Sequence, residues 1–257
     1  MTKKILKKRF SFDDFLTVCR GPINKKAPGT ASYESGKYRK KWTGTFDYNE
    51  ALQLVDKGYP EGVKKMQKEM ENLKQAKTPQ LSPSFDVAGD EADVDRFLQN
   101  DPENMITFEH TLVNGIKFLD VYFSYAYSHV YNKTEVIKRG VQILSNVDNL
   151  EQLGYRVRII AYHYSILNEQ KTPIDFQIVV KDYQEHVELD RMAYVMAHPS
   201  MLRRLGFRLV EKLAPKLSAG GYGAVHDLEI EDAVCIGPNM FDPDRIDREF
   251  EKTVNAE

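Results

Sequence analysis

The chain has 257 residues, with 42% apolar, 29% charged and 11% aromatic side chains, enough apolar content to offset chain entropy and exclude disorder along its whole length. No stretch approaches the ~18 consecutive apolar residues of a membrane span, and the segment from Met1 to Arg9 lacks the apolar centre of a secretory signal. The net charge of −2 hides an asymmetry: residues 1–41 carry twelve basic and three acidic side chains, a surplus of +9, and the other 24 basic and 35 acidic side chains give −11.

Residues 1–41 read as a basic arm. Lys3, Lys4, Lys7, Lys8, Arg9, Lys25, Lys26, Lys37, Arg39, Lys40 and Lys41 are its candidates for holding a polyanion, either nucleic acid or an acidic protein surface. Phe10, Phe12, Tyr33, Tyr38 and Trp42 are interleaved with them and can stack on bases. Inside the arm, Ser11 with Asp14 predicts a short capped helix whose apolar face is Phe12, Phe15 and Leu16 and whose stop is Gly21-Pro22. Residues 22–41 read as loop.

Residues 42–78 read as a helical module. Asp47 caps a helix with Ala51, Leu54 and Val55 on one face, stopped at Gly58. A second helix runs from Pro60 to about Gln75, with Val63, Met66 and Met70 inward. This stripe is too apolar to leave in water, so the module is expected to pack on the sheet domain C-terminal to it. The turn-rich segment Thr78-Pro-Gln-Leu-Ser-Pro-Ser84 marks the boundary.

Residues 79–257 read as an α/β sheet domain. After a helical turn at 93–98 and a turn at Asp101-Pro102, residues 118–126 are rich in aromatic and β-branched side chains and predict a strand. Asn132 and Glu135 open a helix to about Leu153, with Ile137, Val141, Leu144, Val147 and Leu150 as its buried stripe. Residues 156–164 predict the next strand, which makes a βαβ unit and a parallel pair. A third strand is expected at 175–181, helices at 188–197 and from Pro199, a fourth strand at 232–236 and a closing helix capped by Asp242. The fold class is therefore α/β, a doubly wound, mostly parallel sheet of about four strands with an N-terminal helical module.

Two resemblances follow from these residues. Trp42-x-Gly44…Glu50-Ala51-x-x-Leu54-x-x-x-Gly58…Gly62, with Asp86-Val-Ala-Gly89 and Asp101-Pro-Glu-Asn-Met105, resembles an uncharacterised family of bacteriophages and some bacteria over roughly residues 35–250. It implies a phage context and carries no activity. The predicted strand–helix–strand from 118 to 164 is similar to the opening of a von Willebrand A-like domain, whose Asp-x-Ser-x-Ser motif holds a metal. Here the spacing is Asp120-x-x-x-Ser124-x-x-x-Ser128, which strings the oxygens along a strand at ~3.3 Å per residue. No metal ligand and no cofactor are carried over.

Asp120, His129 and His163 are the candidates for acid–base chemistry, since ligands bind open α/β sheets at the carboxyl ends of strands. His198 reads as a capping or surface residue. Gly220-Gly-Tyr-Gly223 reads as a loop tip, and Arg203, Arg204, Arg208 and Lys212 as a basic ridge opposite a leucine stripe. Cys19 and Cys235 fit neither zinc spacing nor a disulfide framework, so a reducing cytoplasm is the expected compartment, that of the host, or the virion, for a phage protein. The leading expectation is a non-catalytic phage-type protein whose arm engages nucleic acid or an acidic protein surface and whose sheet edge binds a protein partner, with no role at a membrane. The alternative is a metal-assisted hydrolase or nuclease acting on nucleic acid.

Overall fold

Leu6 and Phe10 share one side of a segment whose other residues are Lys7, Lys8, Arg9 and Ser11, and that side meets the core, so Leu6–Ser11 is a strand, β1. The computed structural model describes residues 5–22, 31–76, 84–87, 91–107, 117–128, 130–167, 172–215, 222 and 224–254. The reading of 1–41 as an arm is corrected for β1 and for the helix α1, Phe12–Arg20, which buries Phe15, Leu16 and Cys19. Ser11 caps α1 by accepting from the Asp14 N–H at 3.1 Å. Helix α2, Lys37–Thr43, lies in the segment expected to be loop and ends at Gly44 with a left-handed φ of 79°.

Helices α3, Tyr48–Lys57, and α4, Pro60–Ala76, come next. Asp47 caps α3 through the Glu50 N–H at 2.8 Å. A small antiparallel sheet succeeds them, from β2, Ser84–Asp86, β3, Glu91–Ala92, and β4, Met105–Thr107, in the order β2-β4-β3. The one-turn helix α5, Val94–Leu98, lies between β3 and β4. This sheet is not legible in the sequence, because two- and three-residue strands carry no readable alternation.

Strand β5, Lys117–Ser124, helix α6, Lys133–Gln152, and strand β6, Tyr155–Leu167, form the expected βαβ unit, and β5 and β6 pair in parallel. Asn132 and Glu135 close a reciprocal cap on α6. Strand β7, Thr172–Lys181, returns antiparallel to β6, because the few residues after Leu167 cannot make the crossover a parallel return needs. Helix α7, Leu189–Ala197, a π-helical turn, Met201–Gly206, and α8, Phe207–Leu213, come next. Strand β8, Ala224–Val225, pairs with β6; β9, Ala233–Ile236, pairs in parallel with β5; and α9, Pro243–Val254, closes the described chain.

The main sheet has six strands in the order β1-β7-β6-β5-β9, with β8 beside β6. The pairs β1–β7, β5–β6 and β5–β9 are parallel, and β6–β7 and β6–β8 antiparallel. It is a mixed sheet, which corrects the expected mostly parallel sheet of four strands. Helical residues enter the core cluster on the Val121–Ile159–Ile178 face, and no described helical residue joins the cluster of Tyr122, Ile160, Tyr162 and Ala233 on the other.

The helices of residues 48–76 share that first core. Met66 of α4 is fully buried, and a Cβ at Gly140 of α6 would stand 3.1 Å from its methyl and 3.2 Å from the Met196 Cβ of α7. Gly140 thus allows α4, α6 and α7 to meet. Among the described residues no helix is long and apolar enough to cross a membrane.

Candidate functional site

The structure separates the sequence candidates. Asp120 of β5 lies opposite Arg158 of β6 and takes its guanidinium bidentately, Nε to Oδ1 at 2.8 Å and Nη2 to Oδ2 at 2.7 Å. The Tyr183 hydroxyl donates to Oδ1 at 2.6 Å. Burial works to raise this carboxyl, and Arg158 and Tyr183 outweigh it, holding it below the ordinary carboxylate range. An ionised, fully partnered carboxylate is a poor proton shuttle, so Asp120 is a structural ion pair. His163 stands five residues beyond Arg158 and therefore faces the opposite side of the sheet. It is 1% exposed, edge-on to Tyr125 at 5.8 Å, and burial pushes its imidazole down to about 4. It is a neutral core residue, and the candidates Asp120 and His163 do not come together. His129, Gly220, Gly221 and Gly223 lie outside the described residues, as do Lys3, Lys4, Lys25 and Lys26.

At the carboxyl ends of β5 and β9, where a ligand was expected, the protein places its own cation. The Arg139 guanidinium is buried beneath backbone oxygens. It donates from Nη1 to Ser124 O, from Nη2 to Gly237 O and from Nε to Met240 O, each at 2.9 Å. Desolvation pulls it down to about 10, still fully charged near neutrality. Ser124 Oγ is turned back to Ala126 O at 2.8 Å. Among the described residues no three His, Cys, Asp or Glu side chains come together in a metal-binding group.

The reading of these arginines as a basic ridge is corrected as well. Arg204 is fully buried, and its guanidinium donates to Ser32 O at 2.7 Å, Glu34 O at 2.6 Å and Thr45 O at 3.0 Å. Arg208 is 2% exposed and donates to Pro22 O at 2.7 Å. Arg203 donates to Trp42 O and stacks over the Trp42 ring, 5.0 Å from its centroid. The π turn explains why two consecutive arginines both reach the segment before α3: a wider turn rotates neighbours by less than an α-helix does.

This clamp builds a cavity of about 380 Å³ beside the β5–α6 connection. Lys41, Trp42 and Gly44 come from α2 and its end, Tyr59 and Glu61 from the start of α4, Tyr127, Tyr131 and Lys133 from the start of α6 and the loop before it, and His198 and Arg203 from the π turn region. Gly44 is required, since a Cβ there would sit 2.8 Å from Pro199 and 2.9 Å from the His198 ring. Tyr131 is backed by Phe241, with centroids 3.6 Å apart and an interplanar angle of 13°.

Two further groups set the cavity's electrostatics. Glu61 bridges Lys65 at 2.6 Å and Lys133 at 3.0 Å. Those ammonium groups hold its carboxyl down to about 2. Burial works to lower Lys133, and Tyr59 and Glu61 outweigh it, so Lys133 stays charged. His198 is buried, and its Nδ1 accepts from the Ser200 N–H at 3.2 Å and meets Ser200 Oγ at 2.7 Å. Desolvation, with Lys133 nearby, pushes it down to about 4. A neutral ring that accepts at Nδ1 carries its proton at Nε2.

Of the eleven basic candidates, Lys7 pairs with Asp175 at 3.4 Å and Arg9 donates to Tyr122 and Gln177, both on the sheet. Lys37, Arg39, Lys40 and Lys41 gather on α2. Tyr59, Tyr127, Tyr131 and Lys133 escape sequence reasoning, having no local motif; for Tyr127 and Tyr131 the one signal is the crowd of aromatics after residue 117. A second groove of about 580 Å³ beside β9 and α9 has Asp227, Glu229, Glu231, Asp232 and Glu249 in its wall against Arg245 and Lys252. Its field repels anions.

A mixed-sheet α/β protein with an aromatic, cation-rimmed cavity beside its central βαβ unit is the class these features define. The chain belongs to the family of a domain of unknown function, DUF7192, which matches residues 2–256. Neither a curated protein nor a solved structure matches it.

Proposed function

We propose that this protein is a non-catalytic nucleic-acid-binding protein that engages single strands through α2 and the cavity beside it. The observation that carries the reading is Trp42. Its ring lies 5.9 Å from the Arg39 guanidinium and 5.0 Å from that of Arg203, and it lines the same cavity as Lys41 and Lys133. Cations that track a backbone beside aromatic faces that stack on bases are what sequence-tolerant single-strand binding requires. An acidic protein surface needs the cations alone and leaves the aromatic cavity without a use.

Catalysis is not favoured. Asp120 is ion-paired, His163 is buried, and Arg139 fills the strand ends. The βαβ unit of β5, α6 and β6, with β9 parallel on the other side of β5, supports a von Willebrand A-like C-terminal half. Helices on one described face do not suit the doubly wound form of that fold. We place the protein in a bacteriophage on its motif resemblance, acting in the host cytoplasm.

The experiment is fluorescence anisotropy of labelled single-stranded and double-stranded oligonucleotides across a salt series. The expected result is single-strand binding that weakens with salt, with a slope of roughly −0.7 per phosphate contacted, and loses at least tenfold in a Lys37→Glu, Lys40→Glu, Lys41→Glu variant. Binding unchanged in that variant, or binding only to an acidic protein, overturns the reading.

A further inference from the structure

The cavity differs from the rest of the molecule in sign and in lining. The body beyond residue 41 carries a net −11, yet Lys41, Lys133 and Arg203 face this cavity against Glu61 alone. Glu61 is already committed to Lys65 and Lys133. The local field therefore selects an anion. The volume, about 380 Å³, falls within the ~300–1,000 Å³ of small-ligand pockets, which is room for one nucleotide unit and too little for a paired duplex.

The walls supply the two other things a nucleotide needs. Tyr131 offers a flat platform held rigid from behind, because Phe241 stacks against it and does not itself line the cavity. His198 offers a fixed donor. The Ser200 N–H occupies its Nδ1, so the proton of the neutral ring sits on Nε2, which bonds to nothing among the described residues. Tyr194, parallel to the imidazole at 5.5 Å, and Tyr59, edge-on at 4.7 Å, hold the ring in place. A fixed donor in the cavity wall with no protein acceptor favours a ligand that brings one.

We propose that this cavity takes a single unpaired nucleotide unit, its base on the Tyr131 ring with an acceptor on His198 Nε2–H and its phosphate at the Lys41–Lys133 rim. The inference rests on the single-strand reading and assigns it a base pocket. It separates the basic residues of α2, which any phosphate backbone satisfies, from the Tyr131 ring, which a base stacks on and an abasic unit does not.

Trp42 is the only tryptophan and lines the cavity, so its fluorescence reports occupancy directly. The probes are a 5′-phosphorylated five-nucleotide single strand, the same strand made abasic, a free nucleoside monophosphate and ribose 5-phosphate. The expected result is a Trp42 signal with the intact strand and tenfold or more weaker binding of the abasic strand, the scale of one stacked base. Tyr131→Leu should lose the same factor for the intact strand and nothing for the abasic strand, a pattern that general misfolding does not produce. Lys41→Ala should weaken both strands alike.

Equal affinity for intact and abasic strands overturns the base pocket and leaves backbone binding by α2 standing. A Trp42 response to the monophosphate and none to any strand supports the pocket and overturns the single-strand reading. Silence with every probe overturns both.

Discussion

The Arg204 guanidinium donates to the Thr45 carbonyl oxygen at 3.0 Å and to its hydroxyl at 3.2 Å, across 159 residues of sequence. With Ser32 O and Glu34 O on Nη1, this one side chain fastens the segment carrying Trp42 to the π turn. Arg204→Met leaves several buried carbonyls without donors, each costing about 1–3 kcal/mol before relaxation. We expect a loss of about 3–5 kcal/mol, as for breaking a buried charged group, read as a lower urea midpoint. A redder, more quenchable Trp42 emission should accompany it. An unchanged Trp42 environment would show that α2 is held by something else.

Stability should fall as the solution is acidified from pH 6.5 towards 4. His163 and His198 are both pushed from 6.5 down to about 4 by burial, with Lys133 adding to the effect at His198. In that window the unfolded chain binds protons that the folded chain refuses, so stability is complete above 6.5 and drains as pH falls. Each imidazole accounts for at most about 3 kcal/mol. Asp120, held below its ordinary range, continues the loss at lower pH. Urea unfolding at pH 7.5 and pH 4.5 measures the slope, and His163→Phe should reduce it by roughly half. An unaltered slope in that variant would mean that His163 titrates normally.

The helix–strand order is legible where signals are local. The Asn132–Glu135 cap and the Ile137, Val141, Leu144 stripe locate α6 to within a residue, because caps and periodicity lie within one turn. β1 is hidden because three basic residues, Lys7, Lys8 and Arg9, outnumber its two inward residues, and such charge reads as solvation. Arg139, Arg204 and Arg208 are hidden for a deeper reason. Their acceptors are backbone carbonyls 15 to 187 residues away, and a carbonyl has no sequence signature. The separation of His163 from Asp120 follows from strand alternation only once the β5–β6 register is known. Of the cavity, the sequence marks Lys41 and Trp42 as binding candidates, while His198 and Arg203 read there as surface residues.

Asp120→Asn tests the structural role of the candidate acid. The change keeps shape and removes the charge that Arg158 meets bidentately. Arg158 remains partly solvated, so the cost is about 1–2 kcal/mol, short of that for a fully buried pair. Chemical denaturation reads this directly, and oligonucleotide affinity should stay the same. A midpoint equal to that of the parent protein would show that the pair contributes nothing net.

Gly44→Ala tests whether the cavity depends on close backbone approach. The residue has φ of 79°, and a Cβ would press on Pro199 and His198. Left-handed strain costs about 1–2 kcal/mol, and relief of the contact must shift either α2 or the His198 ring. We expect a modest stability loss and a larger fractional loss of single-strand affinity, because the shifted groups line the cavity. Wild-type affinity in a destabilised variant would detach Gly44 from binding.

Arg139→Ala should be severe and chemically reversible. The side chain supplies the donors for Ser124 O, Gly237 O and Met240 O, which tie the ends of β5 and β9 to α6. Its removal leaves those carbonyls dry and opens a guanidinium-shaped void, a loss of about 3–5 kcal/mol. Phe241 faces the same guanidinium at 5.0 Å, so the Tyr131 platform should loosen with it. A void of that shape, lined by carbonyl oxygens, is a site for the free cation. Low millimolar guanidinium chloride should therefore raise the variant's melting temperature, although the salt is a denaturant at high concentration. Sodium chloride at the same ionic strength should do nothing. The parent protein, whose site is filled by its own arginine, should show no such rise. Equal responses of variant and parent to both salts would mean that the strand ends are held by packing and not by the arginine's hydrogen bonds.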